Sequence, residues 1–217
     1  MDEVLVAMPA YNESKAIGKV VRGVIKQGFP VLVVDDCSSD NTFEEAEKAG
    51  AVVLKHVLNR GAGAARMTAI EYAREKNYDY LILMDSDGQH APEDIKKLFS
   101  KRWQYDVVLG ARDVTKMPLV RNIANRVGNL VTKLFFGLYV TDSQSGFKLL
   151  NKQALHKIEL HYDRYEFESE FIGEVYRHNL KYGEVTIQTL YPEHARSGQS
   201  IKNGFMMILR FIMGDKK

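Results

Sequence analysis

Short runs of β-branched and aliphatic residues recur through the first half of the chain, each followed by a longer stretch of helical periodicity, and this alternation constrains the fold more than any other feature. Val4 to Met8, Val31 to Val34, Ala51 to Leu54, Tyr80 to Met84 and Asp106 to Leu109 read as buried strands. Between them, Ile17 to Ile25 sets Ile17, Val20, Val21, Val24 and Ile25 on one helical face, and Ala62 to Ala73 is alanine-rich with few breakers. Thr42 to Ala49 and Pro92 to Phe99 complete the series, the latter opening on a proline whose missing N–H costs little at a helix start. Strand and helix alternating in this way imply an α/β chain with a mostly parallel central sheet flanked by helices. Further along, Val120 to Phe136 and Phe167 to Tyr176 read as helices, Glu184 to Leu190 as a strand, and the tail from Ile201 as an apolar helix.

The 217 residues carry one composition regime, so the expectation is one domain over 1–200 with an appended amphipathic helix over 201–217. Thirty lysines and arginines against 28 acidic residues leave a net charge of +2, too little for a protein that binds nucleic acid by bulk electrostatics. The single cysteine, Cys37, excludes an internal disulfide and a cysteine-based metal cluster. Asp2 and Glu3 stand where a secretory signal would carry positive charge, and Phe205 to Met213, interrupted by Arg210, is far shorter than the roughly 20 residues that span a bilayer. A cytoplasmic location is expected. GFMMILRFIM is nonetheless very apolar, and Lys202, Arg210, Lys216 and Lys217 surround it with positive charge. It suits either a membrane interface or packing against the domain or a second subunit.

In open α/β sheets ligands bind beyond the carboxyl ends of the strands, so the residues directly after each apolar run matter most. Pro9, Tyr11 and Glu13 follow the first run, Asp35 and Asp36 the second, and Asp85, Ser86, Asp87, Gly88 and Gln89 the fourth. Asp85 and Asp87, two apart at a strand end, can face one hard cation such as Mg²⁺ or Mn²⁺, with the Gln89 amide oxygen as a neutral ligand. The same residues also suit an acidic turn that caps the next helix. Asp36 fits a hydrogen bond to a base or ribose, and equally a helix-starting turn. NRGAGAA, Asn59 to Ala65, places small residues where a loop enters a helix, a pattern of simple helix starts as well as of anion sites.

Taken together, PAYNE, VVDDCSSDNT, NRGAGAA, DSDGQHAPEDI, GAR, DSQSGFKLL and HARSGQS resemble the polyprenyl-phosphate and dolichyl-phosphate hexosyltransferases of glycosyltransferase family 2, from about Val4 to Lys202. The resemblance implies a GT-A, Rossmann-like fold. It also implies inverting transfer of a hexose from GDP-mannose, UDP-glucose or UDP-N-acetylglucosamine to dolichyl or polyprenyl phosphate. Pro9, Tyr11, Glu13, Asp36, Asp85, Ser86, Asp87 and Arg196 would bind the nucleotide sugar, with Asp85, Asp87 and Gln89 on the metal. Asp87 and Arg196 would act on the departing diphosphate, Arg196 from a mobile lid. Arg112, Arg121 and Arg126 would meet the acceptor phosphate. Many relatives have lysine where Ala62 stands, so that lysine's role is absent or supplied elsewhere. The partners implied are a nucleotide sugar, a lipid phosphate and, peripherally, the cytoplasmic face of a membrane. Two other classes share such residues: a nucleotidyltransferase acting on sugar phosphates, and a non-catalytic nucleotide-sugar binding module. Glu168 and Glu170 stand as carboxylates on a helix surface, with a general-base role as the alternative.

Overall fold

The computed structural model of the chain describes residues 2–113, 129, 133, 140–163 and 167–190. Arg121, Arg126, Arg196, the 201–217 segment and nearly all of the stretch from Val120 to Phe136 lie outside them. Among the described residues seven strands form one sheet: β1 (Val4–Ala10), β2 (Val31–Asp35), β3 (Val52–Lys55), β4 (Tyr80–Leu83), β5 (Val107–Arg112), β6 (Lys148–Asn151) and β7 (Tyr182–Ile187). Their order is β3-β2-β1-β4-β6-β5-β7. β6 runs antiparallel to both β4 and β5, and the other four neighbouring pairs are parallel, so one reversed strand sits inside an otherwise parallel sheet.

Alternate side chains of each central strand feed opposite cores, as strand geometry requires. Leu5 and Ala7 of β1, Leu32 and Val34 of β2, and Leu81 and Leu83 of β4 enter one core. Val6, Met8, Val31, Val33, Ile82 and Met84 enter the other. The strands read as continuous apolar runs because both faces are covered. On the second face lie α1 (Ile17–Lys26), α2 (Thr42–Lys48) and α4 (Ile95–Ser100), with Ile17, Val20, Val21 and Val24 all buried in α1. The first face is covered by α3 (Ala62–Glu75), α5 (Lys152–Lys157) and α6 (Phe167–Arg177). Ala64, Ala65, Ala69 and Ala73 are almost fully buried, and their small side chains let α3 lie close over β1 and β2.

Several sequence expectations shift. β1 runs on through Pro9 to Ala10, and β5 continues to Arg112. A three-residue 3₁₀ turn, Pro92–Asp94, precedes α4. Lys148–Asn151, inside DSQSGFKLL and its continuation, is a central strand that carried no strand expectation. Glu168 is not a surface carboxylate: it is only 5 % exposed.

Candidate active site

The sheet reverses its order of winding between β1 and β4, where β2 and β3 lie to one side and β6 to the other. That is the crevice in which open α/β sheets take ligands. The end of β1 tolerates Pro9 because the β1–β4 pairing has already finished at Ala7 and Leu83, leaving no ladder bond to lose on that side. Ser86 donates its hydroxyl to the Pro9 carbonyl at 2.7 Å and is buried, so it ties the two strand ends together. Tyr11, immediately beyond, is 43 % exposed.

The neighbouring loops are laced to one another by side chains. Asn12 sits at a φ of 55°, a conformation asparagine tolerates, and its Oδ1 accepts from the backbone N–H of Ser39 at 2.8 Å. Ser38 Oγ accepts the Asn12 N–H, Thr42 Oγ1 accepts the Glu13 N–H, and Asp40 accepts the Ser14 N–H. Burial acts to raise the Asp40 pKa, but the hydrogen bonds from Thr42 and Ser14 outweigh it and hold the carboxyl below its ordinary range. Asp36 is buried, and both of its carboxylate oxygens have partners. Oδ1 accepts the Arg60 N–H at 3.0 Å and lies 2.8 Å from His56 Nδ1, and Oδ2 accepts the Gly61 N–H at 2.6 Å. Asp36 therefore shapes the loop that starts α3. The glycines of NRGAGAA serve packing there: Gly61 takes a φ of 113°, and a Cβ on Gly63 would collide with the backbone of Tyr162 and Asp163.

Beyond β4 the two aspartates stand in different surroundings. Asp85, one-third exposed at its side chain, accepts a 2.5 Å charge-assisted bond from Arg66 Nη2 through Oδ1. Its backbone N–H reaches His90 Nδ1 at 3.3 Å, and that imidazole is buried and stacked on Phe147. Burial would raise the Asp85 pKa, but the Arg66 and His90 charges more than offset it, and Asp85 lies below the usual carboxylate range. Asp87 goes the other way: burial and the nearby Asp85 charge push it up, against hydrogen bonds from Gln89. Gln89 donates its backbone N–H to Asp87 Oδ1 at 2.9 Å and its Nε2–H to Oδ2 at 2.6 Å, leaving Oε1 as its remaining polar atom.

A second layer closes over Asp85 from DSQSGFKLL. A Cβ on Gly146 would fall within 3.0 Å of both Asp85 carboxylate oxygens and of Arg66 Nη2, so any larger residue has to move that carboxylate, the tip of Arg66 or the loop itself. Behind it, Glu168 Oε1 is 2.9 Å from Arg66 Nη1, and Glu168 Oε2 accepts from Lys148 Nζ, which also donates to the Ser145 carbonyl. Arg112 is held at the same end of the sheet, but by a two-pronged pair to buried Asp142: Nε to Oδ2 at 2.7 Å and Nη2 to Oδ1 at 2.8 Å. The acceptor-phosphate expectation for Arg112 thus falls on a guanidinium whose charge is already matched.

Pro9, Tyr11, Glu13, Asp36, Asp85, Ser86, Asp87, Gln89 and Arg112 all belong to the carboxyl ends of β1, β2, β4 and β5 or the loops that follow them. Sequence reasoning missed Arg66, Gly146 and Lys148. The signal for Arg66 and Lys148 was an arginine or lysine interrupting an otherwise small or apolar run, AAR in α3 and FKLL in β6, where a charge has to find a buried partner. Among the described residues no three His, Cys, Asp or Glu side chains gather into a metal cluster. Two carboxylates on one turn, one with an oxygen already committed to arginine, form the sparse oxygen set suited to Mg²⁺ or Mn²⁺, whose other ligands come from substrate phosphates and water.

Known proteins share both the sequence and this architecture. A relative from Methanococcus voltae, UDP-N-acetylglucosamine--dolichyl-phosphate N-acetylglucosaminyltransferase, is 33% identical over 97% of this chain and 95% of its own length. Undecaprenyl-phosphate mannosyltransferase of Micrococcus luteus is 32% identical over 72% of this chain and 70% of its own. Among solved structures, glucosyl-3-phosphoglycerate synthase from Mycobacterium tuberculosis, in complex with Mn²⁺, uridine diphosphate and phosphoglyceric acid, superposes with a TM-score of 0.76. That match covers 97% of this chain and 76% of the other at 16% identity, a likeness of fold. Residues 5–159 match Glycosyl transferase family 2, and the chain belongs to that family of glycosyltransferases.

Proposed function

We propose that the enzyme transfers a hexose, with inversion, from a nucleoside diphosphate sugar to a polyprenyl or dolichyl phosphate, using a divalent cation at Asp85 and Asp87. The observation that carries this reading is the pair of aspartates at the β1/β4 crevice, one charged and committed by one oxygen to Arg66, the other reaching the same turn. Relatives named for dolichyl-phosphate and undecaprenyl-phosphate acceptors, aligned over most of the chain, support the acceptor class.

Asp85, Asp87 and Gln89 Oε1 would hold Mg²⁺ or Mn²⁺. The bound ion would supply positive charge to the sugar donor's diphosphate as its bond to the sugar breaks. Tyr11 offers an exposed ring for the base, Glu13 lines the same loop, and Asp36 acts indirectly by fixing the loop from His56 to Gly61. Arg196 neutralises further charge on the diphosphate, and Arg121 and Arg126, with Arg112 sharing its guanidinium with Asp142, orient the acceptor. An oxygen of the lipid phosphate attacks the anomeric carbon. The bond from that carbon to the diphosphate oxygen breaks, and its electron pair leaves with the nucleoside diphosphate. A phosphate monoester loses its second proton near pH about 6, so the nucleophile is already anionic and no general base is required. Glu168, buried against Arg66 and Lys148, is then free of a proton-transfer role.

The test is to incubate the protein and polyprenyl phosphate with labelled GDP-mannose, UDP-glucose and UDP-N-acetylglucosamine in turn, with Mn²⁺ or Mg²⁺, and count label in the organic extract. One sugar donor should label the lipid, and chelation or Asp85→Asn should remove the signal by at least about 100-fold. Label confined to soluble sugar would dismiss the lipid acceptor, and full transfer by Asp85→Asn would dismiss the metal site.

A further inference from the structure

The Arg66, Glu168 and Lys148 side chains are only 9, 7 and 2 % exposed, yet they are joined to one another as ion pairs. Burying charges is costly unless each is matched. Two cations and one anion leave a surplus of one positive charge, and the only direct contact through which it reaches the crevice, among the described residues, is the Arg66 bond to Asp85. Among the described residues Arg66 is gripped through its terminal nitrogens: Nη1 by Glu168, Nη2 by Asp85. Its Nε is buried and has no hydrogen-bond partner among them, and its guanidinium lies over the Phe167 ring at 5.3 Å. Glu168 is in turn shared, since Lys148 takes its other oxygen, and Lys148 is fixed by the Ser145 carbonyl and sits over the Phe171 ring at 5.3 Å. The three side chains are carried by α3, β6 and α6, which pack in one core beside the Gly146 approach to Asp85.

We propose that Lys148 and Glu168 are a positioning pair that sets how strongly Arg66 competes with the divalent cation for Asp85. This rests on the reading of Asp85 as a metal ligand. Glu168 draws Arg66 away from Asp85, and Lys148 weakens that draw by taking up part of the Glu168 charge. Loss of the carboxylate in Glu168→Gln leaves the full Arg66 charge on Asp85 and adds one positive charge behind the site. Loss of the ammonium in Lys148→Met does the reverse on both counts. Opposite shifts in cation affinity follow, whereas damage to packing would weaken binding in both variants.

The measurement is a Mn²⁺ titration followed by the resonance amplitude of unbound Mn²⁺, with Mn²⁺ alone and then with UDP or GDP, alongside the Mn²⁺ dependence of hexose transfer. Glu168→Gln should bind Mn²⁺ about tenfold more weakly than wild type, the size of effect seen when a partner of a metal-binding group is removed. Lys148→Met should bind it several-fold more tightly, on the order of the same effect reversed. The double variant, with its charge balance restored, should return to within about threefold of wild type. If Glu168→Gln does not fold, Glu168→Asp keeps the charge but withdraws it by one methylene, and a weaker Mn²⁺ affinity is again expected. Equal shifts, shifts of the same sign, or no shift in the two single variants overturn the proposal while leaving the metal site intact. A wild-type protein that binds no Mn²⁺, with or without nucleotide, overturns the metal reading itself.

Discussion

A glycine opposite a carboxylate is the sharpest geometric statement at the residue scale. Gly146 gains nothing from a left-handed backbone; its value is the volume it does not fill, because Asp85 and the tip of Arg66 occupy the place of a Cβ. Gly146→Ala has to displace either the loop that carries it or the carboxylate it faces. Misplacing a reacting group by about 1 Å costs on the order of 100-fold in rate, so kcat of this variant should fall about that far, with a smaller change in melting temperature. Steady-state kinetics beside a thermal melt checks this; an unchanged kcat would mean that Asp85 tolerates movement and has no fixed role. Asp36 offers the contrasting case. The sequence offers it both as a contact to a base or ribose and as a helix-starting turn; the structure adds the backbone amides of Arg60 and Gly61 on its oxygens, and no local pattern in VVDDCSS reveals which amides will arrive from 24 or 25 residues away.

Elements show the same division between what is local and what is not. Five of the seven strands announce themselves as apolar runs, and those in the middle of the sheet, covered on both faces, need no polar alternation. β6 did not, for two physical reasons. It is four residues long and opens on a lysine, and its antiparallel insertion between β4 and β5 cannot be reached by extending the parallel β-α-β rule. Glu168 was misread through the same blind spot: a helix-surface carboxylate and one paired with a buried lysine 20 residues earlier look alike in FESEF. Arg112 at the end of β5 pairs with Asp142 shortly before β6, and Asn129 accepts the Ser143 N–H at 2.9 Å and donates to the Thr141 carbonyl at 2.7 Å. Asp142 is wholly buried while Arg112 retains some exposure, so Asp142→Asn leaves a mostly enclosed guanidinium without its counter-charge. A loss of about 3 kcal/mol in unfolding free energy is expected, measured by urea denaturation. A loss under about 0.5 kcal/mol would show that water replaces the carboxylate, as for an ordinary surface pair.

On the scale of the whole molecule, the two cores on opposite faces of the sheet are joined by the strands themselves, and the candidate site lies where β1 and β4 part. Residues from β1, β2, α3, β4, β6 and α6 all converge on it, so a ligand that bridges the crevice braces the described fold rather than one loop. No helix among the described residues is long and apolar enough to cross a membrane. Coupling between site and fold then has a measurable size. A ligand present at 100 times its dissociation constant stabilises the native state by about 2.7 kcal/mol. For a chain of this length each kcal/mol raises the melting temperature by about 2 to 4 °C, so a rise of about 5 to 10 °C is expected. The rise should occur with one of UDP or GDP, and only when Mn²⁺ or Mg²⁺ is present, because neither the nucleotide nor the ion alone completes the ligand set at Asp85 and Asp87. Asp85→Asn should melt without any nucleotide-dependent shift while keeping its own cooperative transition. A nucleotide that stabilises wild type equally in chelator and in Mn²⁺ would place the diphosphate on the protein's own cations instead, and the two aspartates would then be a capping turn after all.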